Sequence, residues 1–135
     1  MSSPTERSLK LIRAKGYYAE VVEKWNAFTK RRHDLCGFID ILCLGDGEVV
    51  GVQTTTSGNV ASRLQKILNH ENYPAVRRAG IKVVIHGWKK QGGRWVCREL
   101  DVDQLASEVD HPFVESADDL GPEESSLIEG EDDEA

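Results

Sequence analysis

Hydrophobic and polar residues change their spacing several times along the first part of this chain, and each change marks an element. Residues 5–15 carry apolar side chains at helical spacing behind Thr5, a residue type that favours helix N-termini, so they predict a helix. Residues 17–25 are rich in aromatic and β-branched side chains and predict a strand. Residues 26–34 are polar and basic, and we expect a loop there.

The next segment, GFIDILCLGDGEVVGVQTTT, is almost wholly apolar and predicts a β-hairpin. Its two strands cover residues 36–44 and 48–56. Asp46-Gly47 between them is a strong signal for a two-residue turn, because both positions of such a turn need a positive φ. A turn of this kind determines the register of the two strands.

This register brings three polar side chains together at one end of the apolar hairpin. Counting back from the turn places Asp40 opposite Gln53, and Thr55 lies two residues further along on the same side of the sheet. An unpaired carboxylate in an apolar layer costs on the order of a few kcal/mol. Two explanations stay open: a structural hydrogen bond from the Gln53 amide to Asp40, or a divalent cation held by Asp40, Gln53 and a backbone carbonyl.

The rest of the chain alternates between helical and strand patterns. Residues 57–71 predict a helix with one apolar stripe, followed by a short helix, two strands and a last helix over residues 74–79, 81–88, 94–100 and 101–109. A strand, a helix and a further strand in this order predict a βαβ crossover with a parallel pair, while the hairpins supply antiparallel pairs. The predicted fold class is α/β, with a mixed central sheet flanked by helices.

The charges divide the chain into a basic body and an acidic end. Residues 1–98 hold all 17 Lys and Arg and 8 of the 23 Asp and Glu, a net charge of +9, whereas residues 99–135 hold the other 15 acids, a net charge of −15. A basic body favours a polyanionic partner such as nucleic acid. We expect a folded domain over residues 1–112 and a disordered acidic tail over residues 113–135. Three roles stay open for the tail: it binds the protein's own basic face, it binds a basic protein, or it keeps the protein in solution.

The sequence also predicts where the protein resides. Cys36, Cys43 and Cys97 form no CxxC motif and predict buried free thiols, which suit a reducing compartment. The first ten residues lack the apolar stretch of a signal peptide, and no apolar run reaches the roughly 20 residues needed to cross a bilayer. We therefore expect a cytoplasmic protein, or one found wherever its nucleic-acid partner is, with no membrane partner.

These segments resemble the PD-(D/E)XK nuclease superfamily, especially its Holliday-junction-resolvase-like and restriction-endonuclease-like branch. ERSLKLIRAKGY is similar to the first helix of that family, GFIDILCLGDGEVVGVQTT to its metal-binding hairpin, and GNVASRLQKI with IKVVIHGWKKQGGRW to its crossover helix and later strands. The likeness covers about residues 5–100. It implies a restriction-endonuclease-like fold, in which a mixed central sheet is flanked by helices.

The resemblance also implies a site. Asp40 takes the place of the family's metal-binding aspartate, Gln53 that of its glutamate and Thr55 that of its lysine, so that Q-x-T stands where the family has E-x-K. Glu6 is the candidate for the acid of the first helix, and Glu23 on the first strand is its rival. The resemblance thus predicts that Asp40 and Gln53 bind Mg²⁺, or Mn²⁺ in its place, and that Thr55 orients water or phosphate.

Basic residues on both sides of the hairpin complete the predicted site. Lys30, Arg31 and Arg32 lie in the segment that leads to it, while Arg63 and Lys66 lie on the crossover helix and can supply the charge of the missing lysine. The resemblance implies a Mg²⁺-dependent DNA endonuclease of resolvase-like type that acts on duplex or branched DNA as a homodimer. The alternative is a catalytically degenerate nuclease-fold module that binds DNA or a protein without cutting.

Overall fold

A computed structural model describes residues 3–109 of the chain, and within them four α-helices and seven strands form a mixed α/β fold. The helices are α1 (Pro4–Ala14), α2 (Val60–Leu68), α3 (Tyr73–Arg78) and α4 (Val102–Val109). The strands are β1 (Tyr18–Val21), β2 (Lys24–Asn26), β3 (Arg31–His33), β4 (Ile41–Gly45), β5 (Glu48–Thr56), β6 (Ile81–Gln91) and β7 (Arg94–Asp101). A single 3₁₀ turn, Ser57–Asn59, leads from β5 into α2.

Five of the strands form one sheet in the order β1-β4-β5-β6-β7. The β5–β6 pair is parallel and the other three pairs are antiparallel, so the predicted mixed sheet with a βαβ crossover through α2 and α3 is confirmed. The register of the β4–β5 hairpin is also confirmed, because Gly45 pairs with Glu48. Asp46 and Gly47 between them have φ values of 52° and 74°, the positive pair that a type I′ turn requires.

The segment between β1 and β4 differs from the prediction in two ways. Residues 17–25 form two short strands rather than one, and residues 26–34 are not an open loop, because β2 and β3 pair there as a separate two-stranded hairpin. Residues 36–40 do not belong to the strand predicted over 36–44. A tight turn through Cys36 and Gly37, with φ values of 59° and 92°, delays the start of the strand.

The core consists of two apolar layers, one on each face of the sheet. On one face, the side chains of α2, α3 and α4 pack on β6 around the fully buried Ile67, Val83 and Ile85. On the other face, Ile12 of α1 packs on Val52 and its neighbours in β1 and β4. Because β5 is covered on both faces, its apolar residues form a nearly continuous run, as in other strands with a parallel neighbour.

Buried hydrogen bonds fix α1 against the sheet. The Ser8 hydroxyl is fully buried, accepts from Trp88 Nε1 at 2.8 Å and bonds with His86 Nδ1 at 2.9 Å. At the start of the helix, Ser3 and Glu6 form a reciprocal capping box. The first turn of α1 is therefore held next to the C-terminal end of β5.

Other expectations for the chain meet the structure only in part. Cys36, Cys43 and Cys97 are free thiols, but only Cys43 is buried as predicted, while Cys36 and Cys97 are half-buried. The longest helix among residues 3–109 has 11 residues, and none of the helices there is long and apolar enough to cross a membrane. The predicted domain boundary at residue 112 and the acidic tail over residues 113–135 lie outside the described residues.

Gly87→Ala tests the close packing of the crossover on the sheet. A Cβ at this position of β6 would overlap Val60 Cγ2 at the start of α2, so we expect the substitution to lower the free energy of unfolding by about 1–3 kcal/mol. Urea denaturation measures the change. Val60→Ala removes the overlapping methyl groups, and the double variant should be less destabilised than the sum of the two single variants. Additive losses would contradict the proposed contact.

Candidate functional site

A cleft of about 450 Å³ opens at the C-terminal end of β5. Its walls come from the first turn of α1, from the residues at both ends of the β2–β3 hairpin, from the last residues of β5 and from α2. Polar and charged side chains dominate these walls, although the strands that lead to them are apolar. The cleft is thus the place where the buried sheet opens to solvent.

Asp40 lies at the base of this cleft, one residue before β4. Its N–H donates to the Val52 carbonyl and its carbonyl accepts from the Val22 N–H, both at 2.8 Å, so the backbone is held from two sides. The residue is 5 % exposed. A carboxylate in such a position is fixed in space by the sheet and has little contact with water.

The side chain of Asp40 is bound to the end of β5. Its Oδ2 accepts three hydrogen bonds, from Gln53 Nε2 at 3.2 Å, from Thr54 N at 2.8 Å and from Thr54 Oγ1 at 3.2 Å. The predicted meeting of Asp40 and Gln53 is confirmed. Thr54 was not predicted to take part, because it lies on the other side of β5, and it reaches Asp40 only because the carboxylate lies at the edge of the ladder.

Two further acids stand beside Asp40. Oxygen atoms of Glu23, Asp34 and Asp40 all lie within 4.8 Å of one another, and we call these three residues the acidic cluster. Glu23 immediately precedes β2 and Asp34 immediately follows β3, so the base of the β2–β3 hairpin supplies two of the three carboxylates.

Glu23 is held in the cluster by neighbours on two elements. Its Oε1 accepts from Thr5 Oγ1 of α1 at 3.2 Å, and its Oε2 is paired with Arg32 Nη1 at 3.4 Å. Thr5 Oγ1 is also 2.8 Å from Thr54 Oγ1, and Thr54 Oγ1 lies 3.2 Å from Asp40 Oδ2. Two hydroxyl groups thus lie between the two carboxylates, and their two protons can serve two of the three contacts at a time.

Burial and the charges of neighbouring acids raise the pKa values of Asp40 and Asp34. Burial raises the pKa of Asp40 to about 6, together with the charge of Asp34 and against the hydrogen bond from Thr54 N–H. Burial also raises the pKa of Asp34, while a hydrogen bond to Asp40 and the charges of Lys66 and Arg63 oppose the rise. Asp40 and Asp34 therefore keep a proton to a higher pH than free carboxyl groups do.

The donor atoms of the cleft suit a hard divalent cation. Three carboxylates converge, and Mg²⁺ and Mn²⁺ prefer oxygen ligands of this kind. Gln53, 2 % exposed, adds a carbonyl oxygen, since its Oε1 is buried and has no hydrogen-bond partner among the described residues. A half-turn of the amide exchanges Oε1 with Nε2 and would present that oxygen to a cation beside Asp40. The residues present therefore fit the predicted metal.

The structure separates the two rival acids of the prediction. Glu23 lies in the cluster. Glu6 does not belong to it and does not line the cleft, because its carboxylate accepts from Ser3 N at 2.9 Å as part of the helix cap. Thr55, the third predicted residue of the hairpin, is 5 % exposed and lines the cleft beside Gln53.

The predicted DNA-binding residues also divide into two groups. Arg32 and Arg63 line the cleft, and Lys66 is close enough to act on Asp34. Lys30 and Arg31 do not line it; both are exposed on the β2–β3 hairpin, beyond the pair that Arg32 forms with Glu23.

Asp34 is not among the site residues that the sequence predicts. Five residues separate it from Asp40, and a tight reversal brings the two acids together: Gly37 N donates to the Asp34 carbonyl at 3.0 Å, and Leu35 bridges Ile39. The signal was present in DLCGFID, where a glycine lies midway between two acids. It could not be used because the apolar residues around that glycine indicated a continuous strand.

No protein-family model and no curated protein matches this sequence. The likeness to the PD-(D/E)XK superfamily therefore stays a prediction.

Asp40→Asn tests, in metal-free buffer, whether the ionised carboxylate of Asp40 lowers the stability of the folded protein. The folded pKa lies above that of an unfolded Asp, so ionisation of Asp40 weakens the folded state as pH rises from about 4 to beyond 6. Asn cannot ionise, and its amide oxygen can take the place of Oδ2. We expect the variant to gain on the order of 2 kcal/mol over the wild type between pH 4 and pH 7.5.

Urea denaturation at several pH values measures this gain. Glu71→Gln, which removes an exposed carboxylate outside the cluster, is the matched control and should show no such trend. A difference between the Asp40 variant and wild type that does not change with pH would show that the carboxylate is not destabilised by burial.

Proposed function

We propose that this protein is a Mg²⁺- or Mn²⁺-dependent DNA endonuclease with a restriction-endonuclease-like fold, which hydrolyses phosphodiester bonds at the acidic cluster. The observation that carries the proposal is the convergence of Glu23, Asp34 and Asp40 within 4.8 Å in a cleft that arginines also line. The fold supports it, because the helix, the hairpin and the parallel crossover follow in the order that the family resemblance implies.

The chain's own residues would bind the metal through carboxylates that their neighbours hold in position. Glu23 is positioned by Thr5 and Arg32, and Asp40 by Gln53 and the backbone of β5. When bound, a divalent cation supplies charge that polarises a phosphoryl oxygen and lowers the pKa of a bound water. The fixed carboxylates would need little rearrangement to receive it, since the central hairpin and the base of the β2–β3 hairpin already hold them close together.

Positive side chains would act on the phosphate. Arg63 of α2 lines the same cleft as the acidic cluster, and its guanidinium can stabilise the charge that develops on the phosphoryl oxygens. Arg63 would thus supply the positive charge of the family's lysine, in whose place this chain has Thr55. The Thr55 hydroxyl can bond to water or to a phosphate oxygen. Hydrolysis adds the water oxygen to phosphorus and returns a proton to the leaving sugar oxygen.

A second function, a DNA-binding module without nuclease activity, is favoured by one specific observation. Asp40 Oδ2 already accepts three hydrogen bonds from β5, which is the arrangement of a structural carboxylate. Gln53 brings no charge to the site, so the metal would depend on Glu23 and Asp34 for further negative ligands. Such a protein would bind DNA through the same basic surface and release it intact.

Cleavage assays on duplex, single-stranded and four-way-junction DNA decide between the two functions. With Mg²⁺ or Mn²⁺ we expect the wild type to cut at least one substrate, and we expect Glu23→Gln, Asp34→Asn and Asp40→Asn each to lose roughly 100-fold or more in rate. Glu6→Gln is the matched control, since Gln preserves the capping box outside the cluster and should leave the rate unchanged.

Two results would contradict the endonuclease. Activity that survives Asp34→Asn and Asp40→Asn would show that the cutting does not occur at the acidic cluster. A wild type that binds DNA but cuts none of the three substrates with either metal would favour the binding module.

A further inference from the structure

The tip of the β2–β3 hairpin presents an aromatic ring to solvent. Phe28 is 98 % exposed, the highest value among the exposed large hydrophobic residues that the structure describes. Its position is well defined, because Asn26 Oδ1 accepts from Phe28 N at 2.9 Å and the Asn26 carbonyl accepts from Lys30 N at 2.7 Å. The turn therefore holds an apolar side chain away from the protein, where it contributes nothing to the core.

The hairpin that carries Phe28 is strongly basic. Four exposed cations and no acid lie between residues 24 and 33: Lys24, Lys30, Arg31 and Arg32. Trp25, 63 % exposed, pairs directly with Arg32 across the hairpin, and both line a groove of about 360 Å³. Aromatic rings among positive charges are the pattern of surfaces that stack on bases and hold phosphates.

The base of the hairpin coincides with the acidic cluster. Glu23 and Asp34 flank the hairpin in the chain, and Arg32 of β3 pairs with Glu23 of the cluster. The three residues of β2 lead from the cluster towards Phe28, a reach of roughly 10 Å at about 3.3 Å per residue. That is about three base steps along a DNA strand. A strand whose phosphate lies in the cleft would therefore pass within reach of the ring.

We propose that Phe28 stacks on an unpaired base of the bound DNA, so that the protein prefers DNA with interrupted base stacking over continuous duplex. The inference rests on the proposed function for the location of the DNA, but the preference it predicts does not require cleavage. In continuous duplex the ring could stack only after neighbouring bases had been separated, which is unfavourable. In a gap or fork that separation is already present, and the stacking is gained in full.

A protein partner fits this surface less well. Two aromatic side chains bury about 150–250 Å² each, well below the roughly 800 Å² that each partner contributes to a stable protein interface. The four cations also match a phosphate backbone, which carries one charge per nucleotide. Nucleic acid is therefore the partner that both the rings and the charges favour.

Fluorescence anisotropy in EDTA tests the proposal without any metal. The probes are a labelled continuous duplex and the same duplex with a short single-stranded gap. We expect the wild type to bind the gapped probe more tightly, and Phe28→Ala to weaken that binding roughly 5- to 100-fold while changing duplex binding by less than about twofold. Phe28→Trp should retain the preference. The exposure of Phe28 means that none of these variants should alter the melting temperature.

Two control variants make the result specific. Phe28→Leu keeps an apolar side chain without an aromatic face and should lose the preference as Phe28→Ala does. Arg31→Ala should weaken binding to both probes by a similar factor and reduce the salt dependence by about one ion, as loss of one phosphate contact would.

The inference is overturned if the wild type binds both probes equally, if Phe28→Ala weakens both by the same factor, or if neither probe is bound. Cleavage of the same probes in Mn²⁺ separates this inference from the proposed function. If the binding preference depends on Phe28 but no probe is cleaved, the proposed endonuclease function is wrong and the stacking proposal stands. If Phe28→Ala cleaves the same substrates as the wild type, the stacking proposal is wrong and the endonuclease function stands.

Discussion

The burial of the Asp40 carboxylate beside two other acids is the constraint on which the candidate site depends. The end of β5 satisfies one oxygen of that carboxylate, and the remaining negative charge faces Glu23 and Asp34. Repulsion among carboxylates so close together favours a bound proton or a neighbouring positive charge, and Arg32 already pairs with Glu23. A divalent cation bound there would relieve the same repulsion, so the charge of Asp40 that lowers the stability of the folded protein is the charge that the proposed function requires.

The fold divides the site into a part held by the central hairpin and a part carried by the projecting β2–β3 hairpin. Asp40 and Gln53 belong to the central hairpin, whose position is set by apolar layers on both faces. Glu23 and Asp34 instead lie where the β2–β3 hairpin joins the body, and Phe28 lies at its tip. One ten-residue segment therefore connects the acids of the cluster to the surface that we propose for DNA, and a strand bound at the tip would be aligned with the cleft.

Much of this could be predicted from local signals. The Asp46-Gly47 turn determined the register, and with it the contact between Asp40 and Gln53; the helix–strand alternation predicted the parallel crossover. The β2–β3 hairpin escaped prediction because its turn is built by the Asn26 side chain rather than by Gly or Pro. Glu6 was predicted as a site residue because a capping acid and a ligating acid look alike at the start of a helix. Ser3, three residues earlier, was nevertheless a signal for the cap.

The proposed function requires that Glu23, Asp34 and Asp40 together bind one divalent cation. A crystal structure of the protein in Mn²⁺, with the anomalous signal of the metal, shows whether they do. We expect one strong peak in the cleft, contacted by an oxygen of each of the three carboxylates. A cluster without a peak, with Asp40 still bound only to Gln53 and Thr54, would contradict it and leave these acids a structural role.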